Sequence, residues 1–174
     1  LKDKYNVVDS GTFWLSETPD EVSFGWDAAC RRVCTWVVLE DKATGQKYAH
    51  LNSHFDHVGV EARRNSVELI INKAKEFEDI PVVFTADMNV RQDGENYNQF
   101  VESGVLKDTK FIAPDTMDYC TYHDTRPTQH DGDIIDYVMI NDKFDATVYK
   151  VVTEGIDGRY VSDHYPIYAD LIIK

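Results

Sequence analysis

The chain reads as an α/β layered sandwich, with helices outside packed β-sheets. Most of its apolar segments are short, rich in β-branched and aromatic residues, and bounded by turn residues, which is the punctuation of strands. Few segments carry helical patterning, and strands and helices come in mixed order. That mixture is accommodated by sheets packed face to face with helices on the outside. At 174 residues the chain suits one domain, residues 1–174, and can bury a sizeable core.

The elements follow in order. VVDSGTFWLSETPDEVSFGWD mixes a short strand with turn-rich sequence. RVCTWVVLEDKATGQKYAHLNSHF reads as a hairpin, two strand-like runs flanking DKATGQ with its Gly45. In GVEARRNSVELIINKAKEFED the apolar residues Val60, Val67, Ile70, Ile71, Ala74 and Phe77 recur at helical spacing, with charges on the other face. Pro81 closes that region and starts the strand VVFT. ENYNQFVESG predicts a short helix stopped by Gly104. MDYCTYHDTRPTQHDGD is polar and loop-like, and IIDYVMIN, ATVYKVVTEG and YPIYADLII predict three more strands. There is no repeat, low-complexity tract or linker.

Composition narrows the function. The net charge is −13, from 18 basic and 31 acidic residues. Affinity for a nucleic-acid backbone comes largely from Lys and Arg, so non-specific nucleic-acid binding is disfavoured. A phosphate-bearing substrate stays open, because bound cations reverse the local field. No apolar run is long enough to cross a membrane. The opening LKDKYNVVDSG shows no leader and reads as mid-domain sequence, which leaves the compartment open. Cys30, Cys34 and Cys120 are odd in number and lack a CxxC spacing. Buried or half-buried thiols are expected, with no disulfide framework and only a weak zinc signal. A monomer is expected.

Four stretches place charged or amide groups at strand ends: NSHFDH, TADMN, IIDYV and SDHYP. Singly, each has a plain reading. His54 can be a hydrogen-bonded core histidine, Asp87 and Asn89 a turn, Asp136 an outward strand position, and Asp163 with His164 a turn cap. Yet the residues around Asp136 (Ile134, Ile135, Tyr137 and Val138) are all apolar or aromatic, so both faces of that strand are expected to be buried and Asp136 needs a partner. Asp87 and Asn89 lie two apart, and on a strand they would project from the same face. Asp and Asn oxygens suit Mg²⁺ or Ca²⁺. Two histidines supply an acid–base group and a donor, and a carboxylate paired with an imidazole fixes its tautomer. Together these are the parts for metal-assisted phosphoester hydrolysis.

In this order, NSHFDH, TADMN, IIDYV and SDHYP resemble the motifs of the endonuclease/exonuclease/phosphatase superfamily. SGTFWLSETPD and GWDAACRRVCTW resemble a small bacterial subgroup of it, and the likeness covers essentially the whole chain. The resemblance implies a four-layer sandwich of two packed mixed β-sheets flanked by helices. It implies a divalent-metal-dependent phosphoester hydrolase, a phosphodiesterase or phosphatase, using Mg²⁺ or alternatively Mn²⁺ or Ca²⁺. Asp87 would orient or activate the attacking water, and Asn89 would contact the phosphate or a metal. Asp163 would be a metal ligand, His164 the acid–base histidine, and Asp136 its partner. His54 would donate to a phosphoryl oxygen, supported by Asn52 and Asp56, with Asn52 also a candidate substrate contact.

Several positions depart from the family pattern. Ala86 stands where a Gly is usual, a position where positive φ would be disfavoured. Ser53 replaces a Thr. The family's early Asn and metal-binding Glu have no counterpart before Tyr5, and Glu17 lies in a different motif. The chain is therefore expected to be the C-terminal portion of a larger, N-terminally incomplete domain. Arg32 and His123 are further candidate substrate contacts, and Arg63 is expected to brace the helix. His57 and His130 have weaker claims, His50 is expected to be structural, and Trp14, Trp26 and Trp36 core or pocket wall. The acidic balance leans the substrate toward a small or lipid-linked phosphoester, with nucleotides also considered. Competing readings are a non-catalytic module of the same fold, a nuclease acting on DNA or RNA, and a zinc protein using Cys30, Cys34 and nearby histidines.

Overall fold

A computed structural model describes residues 2–124, 132–157 and 159–174. Strands β1 (Tyr5–Trp14), β2 (Val33–Asp41), β3 (Lys47–His54), β4 (Val82–Asp87), β5 (Lys107–Asp108) and β6 (Asp136–Ile140) form one mixed sheet. Their order is β1-β2-β3-β4-β6-β5. β7 (Phe144–Val151) and β8 (Ile167–Ile173) form a second, antiparallel sheet. The helices are α1 (Val60–Lys75), α2 (Glu95–Ser103) and the single turn α3 (Thr109–Ile112). Among the named strands of the described residues β3 and β4 are the pair that runs parallel, and α1 is the crossover that such a pair requires.

Period-two alternation divides the core. Leu51, Phe84, Tyr137 and Met139 of the large sheet pack beneath Val67, Ile70 and Ile71 of α1 and Phe100 of α2. Phe84 and Phe100 stack there with ring centroids 5.6 Å apart. Neighbouring residues on the opposite face (Val83, Val138 and Ile140) pack against Phe144, Ala146, Tyr149 and Val151 of β7. Two packed sheets with helices outside are the expected fold. β6 is buried on both faces from Tyr137 to Ile140, as its apolar flanks predict.

The helix starting at α1 departs from expectation in its first turn. The buried stripe begins at Ala62, while Val60 lies at its margin and is 58% exposed. That turn is capped from a distance, because Asp27 accepts from Ala62 N at 2.8 Å and Glu61 N at 3.3 Å. Phe77 lies just past the cap residue Glu76 and packs on the core from outside the helix. α2 ends as expected at Gly104, which takes the left-handed conformation at φ 68°.

Three elements are longer or additional. β1 runs for ten residues rather than as a short strand, because β2 pairs along its length despite the polar Asn6, Asp9 and Ser10. β5 and α3 were not anticipated. Buried Asp108 creates both, capping α3 through Lys110 N at 2.9 Å and taking the Tyr97 hydroxyl at 2.9 Å. Among the described residues no helix is long and apolar enough to cross a membrane.

Candidate active site

Strand register assembles the centre of the site. His54 ends β3, Asp87 ends β4 and Asp136 opens β6. The β3–β4 register sets His54 beside Asp87, and the β4–β6 register sets Asp87 beside Asp136. All three continue the row whose deeper members Val83, Val138 and Ile140 fill the space between the sheets. The row is apolar where the second sheet covers it and polar at the open rim. A cavity of about 610 Å³ lies over this rim.

His164 completes the arrangement from the loop before β8. Residues Tyr122 and His164 are bridged as in an antiparallel pair, and the Tyr122 ring lies 5.0 Å from the imidazole. His164 Nδ1 sits 2.8 Å from Asp136 Oδ2. Asp87 Oδ2 lies 3.2 Å from His54 Nε2 and 3.8 Å from His164 Nε2. One carboxylate oxygen therefore faces both imidazoles. Asn89, Asp163, Arg32 and His57 line the same cavity.

Asp87 and Asn89 do meet, but not by strand alternation. β4 stops at Asp87, and Asn89 adopts φ 49°, a left-handed conformation that Asn tolerates better than most residues. Asp87 Oδ1 accepts from Asn89 N at 2.9 Å, closing a side-chain turn. Between them Met88 is fully buried and donates its N–H to Ile135 O at 2.8 Å. Asn89 Nδ2 donates to Phe55 O at 3.1 Å, which leaves the amide oxygen for the cavity. An oxygen acceptor suits a cation and not a phosphoryl oxygen. Ala86, in the position of the usual Gly, stays in the strand and is not among the positive-φ residues.

The electrostatics separate the titrating groups. Burial and the neighbouring Asp136 push the Asp87 carboxyl up, against the Asn89 N–H and the two histidines. The hydrogen bond to Asp136 raises the His164 imidazole. Burial lowers His54, and the Arg32 charge adds to that, while Asp87 opposes it. A donor set of this kind fits a hard divalent cation. Ligand atoms of Asp87, Asp136 and His164 all lie within 4.8 Å of one another, and the two residues expected to bind metal, Asp163 and Asn89, line the same space.

Other anticipated residues fall elsewhere. Asn52 does not line the cavity; its amide donates to Thr85 Oγ1 at 2.8 Å, and His50 Nε2 lies 2.9 Å from the same hydroxyl. His123 is not among the residues lining the cavity and is 4% exposed, packed on Tyr165 with centroids 4.4 Å apart. Its chain neighbour Tyr122 is the one in the wall, as alternation along an extended segment dictates. His57, given a weaker claim, also lines the cavity. Arg63 braces the loop through Asp56 O at 3.0 Å, as expected. Trp36 packs on the helix-side core against Phe77. His130 lies outside the described residues.

The cysteines do not form a metal pair. Cys34 is buried, and burial pushes its thiol up to about 12. Cys30 is exposed, contrary to expectation. Cys30, Asp56 and His57 offer ligand atoms within 4.8 Å of one another. The Asp56 carboxylate, however, already accepts Val58 N, Gly59 N and Cys30 N at 2.7–2.9 Å.

No family model matches the chain, and no curated protein matches it. Solved structures do. A Bacteroides thetaiotaomicron mannosyl-6-phosphatase is 34% identical with a TM-score of 0.91, the match covering 98% of this chain and 68% of that one. A Bacteroides vulgatus endonuclease/exonuclease/phosphatase is 40% identical with a TM-score of 0.93, covering 99% and 68%. The human Nocturnin catalytic domain, solved with a bound sulfate, shares the fold at 17% identity and a TM-score of 0.74, covering 100% and 62%.

Proposed function

The chain belongs to the endonuclease/exonuclease/phosphatase family, and on that premise we propose that it carries the active site of a divalent-metal-dependent phosphoester hydrolase acting on a small phosphate ester such as a sugar phosphate. The observation that supports this best is the row His54, Asp87, Asp136 with His164 bonded at its end. A structural polar cluster would have its groups mutually satisfied and closed off, whereas this row opens into a cavity. The relative at 34% identity, a mannosyl-6-phosphatase, supports a small phosphate ester.

In the proposed reaction Asp136 accepts a hydrogen bond from His164 Nδ1–H and so holds Nε2 as the basic atom facing the cavity. Asp87, beside His164 Nε2 and His54 Nε2, orients the water. The water oxygen bonds to phosphorus as the ester P–O bond breaks in line, its proton passes to His164 Nε2, and the ester oxygen departs as the alcohol after taking up a proton from solvent. His54 donates to the oxygen that gains charge. A Mg²⁺ ion held by Asp163, Asn89 and the neighbouring carboxylates would supply charge stabilisation to the phosphoryl group.

Hydrolysis of p-nitrophenyl phosphate and its bis ester, with Mg²⁺ and with EDTA, tests the reading. Turnover should need the metal. Asp87→Asn and His164→Gln should each lower kcat by roughly 10²–10⁴ with the fold intact by circular dichroism. Wild-type rates in either variant would sink the assignment.

A further inference from the structure

We infer that Arg32 makes this site select a terminal phosphate, the dianion of a phosphomonoester, over the phosphate of a diester. The inference rests on the phosphoesterase reading above and specifies its substrate class.

Arg32 immediately precedes β2, and the sheet order β2-β3-β4-β6 gives the rim a direction. Cys34 pairs with Ser53, so Val33 falls opposite His54 and Arg32 one residue further on; Arg32 and His54 both line the cavity. From that end the rim runs Arg32, His54, Asp87, Asp136. Donors stand at one end and carboxylates at the other.

Among the described residues the Arg32 guanidinium carries a buried donor without a partner. Its Nε is buried with no hydrogen bond, and among the described residues no carboxylate pairs with it. In a chain with 31 acidic residues, an arginine that borders a cavity and pairs with none of the described ones is unusual. A buried unsatisfied donor is unfavourable unless something outside the protein completes it. The position itself is fixed, since Leu15 N donates to Arg32 O at 2.8 Å and Ser53 Oγ to Val33 O at 2.8 Å. The backbone at Arg32 is therefore held beside the cavity, and a guanidinium fork matches two oxygens of one phosphate.

Charge and shape then discriminate. A terminal phosphate presents three non-bridging oxygens and two charges. A diester presents two such oxygens, one charge, and a second ester arm. With the carboxylate end of the rim holding a cation, the opposite end offers Arg32, His54 and His57 to the remaining oxygens. A second ester arm at that end would displace an oxyanion from the guanidinium and leave its donors unmet.

Calorimetric titration with inorganic phosphate and with dimethyl phosphate, in Mg²⁺, tests this without turnover. Wild type should bind phosphate at least about tenfold more tightly than dimethyl phosphate. Arg32→Gln should bring the two within about threefold, and Arg32→Lys should keep part of the preference. If Arg32→Gln does not fold, Arg32→Met carries the same expectation. The ratio of kcat/KM for p-nitrophenyl phosphate to that for its bis ester should fall by about tenfold in the variant as well. Equal wild-type binding of both ions, or an unchanged preference in the variant, overturns the role of Arg32. A protein that turns over neither ester yet keeps the phosphate preference would sink the hydrolase reading alone.

Discussion

Asp136 and His164 form the tightest polar contact at the rim, and the chemistry proposed for the site depends on its polarity. Asp136 offers only acceptors, so His164 Nδ1 must carry the proton. Asp136→Asn keeps the size but removes the charge and can present an N–H to the same atom. Steady-state kinetics on the variant should show kcat lower by roughly 10²-fold or more, with little change in KM. An unchanged kcat would mean that His164 is not the proton acceptor. At this scale the motif residues were legible, since His54, Asp87, Asn89, Asp136, Asp163 and His164 all border one cavity. What was not legible was orientation. His123 and Tyr122 are adjacent, and only the bridge to His164 decides which ring faces inward. Asn52 carries the same amide as Asn89, but its neighbour Thr85 occupies it.

The loop between β3 and α1 shows how elements hold the site rim in place. Asp56 is 2% exposed, two residues beyond His54, and ties the loop to the Cys30 backbone. Burial pushes its carboxyl up, but the N–H groups of Gly59, Val58 and Cys30 outweigh that and hold it well below the usual carboxylate range. A depressed folded value stabilises the fold above the ordinary pKa of about 3.9, and that contribution is lost as pH falls below it. Asp56→Ala should cost about 3 kcal/mol at neutral pH, read from urea unfolding, and the gap to wild type should narrow below about pH 4. A constant gap across that range would mean packing, not charge, sets the effect. Gly59 caps α1 where a Cβ would stand 2.6 Å from Asp27 Oδ1 and 2.8 Å from Asp27 O. Gly59→Ala should therefore destabilise by about 1–3 kcal/mol, and an unchanged melting temperature would count against that contact. Periodicity found α1, α2 and most strands. It missed β5 and α3 because neither is long enough to show a period. Both depend on Asp108, whose partners lie in α2 and β6.

For the whole molecule, charge sets what can approach. A net charge of −13 repels a polyanion at distance, while the role proposed for Arg32 would let the rim admit a single small phosphate. Fluorescence anisotropy with a labelled DNA duplex, at about 0.15 M salt without divalent metal, should show no binding at micromolar protein. Submicromolar affinity would point to a basic surface that the charge balance does not suggest. The sequence by itself determined the fold class, the strands that carry the polar groups, and the order of those groups along the chain, because alternation and turn chemistry are local. Tertiary structure decided which of them meet. Asp87 and Asn89 converge only through a left-handed residue, His164 reaches Asp136 only because its loop bridges to Tyr122, and among the described residues no neighbouring strand brings a partner to Arg32 Nε. Each of these depends on contacts between residues far apart in the chain, and distance along the chain carries no record of them.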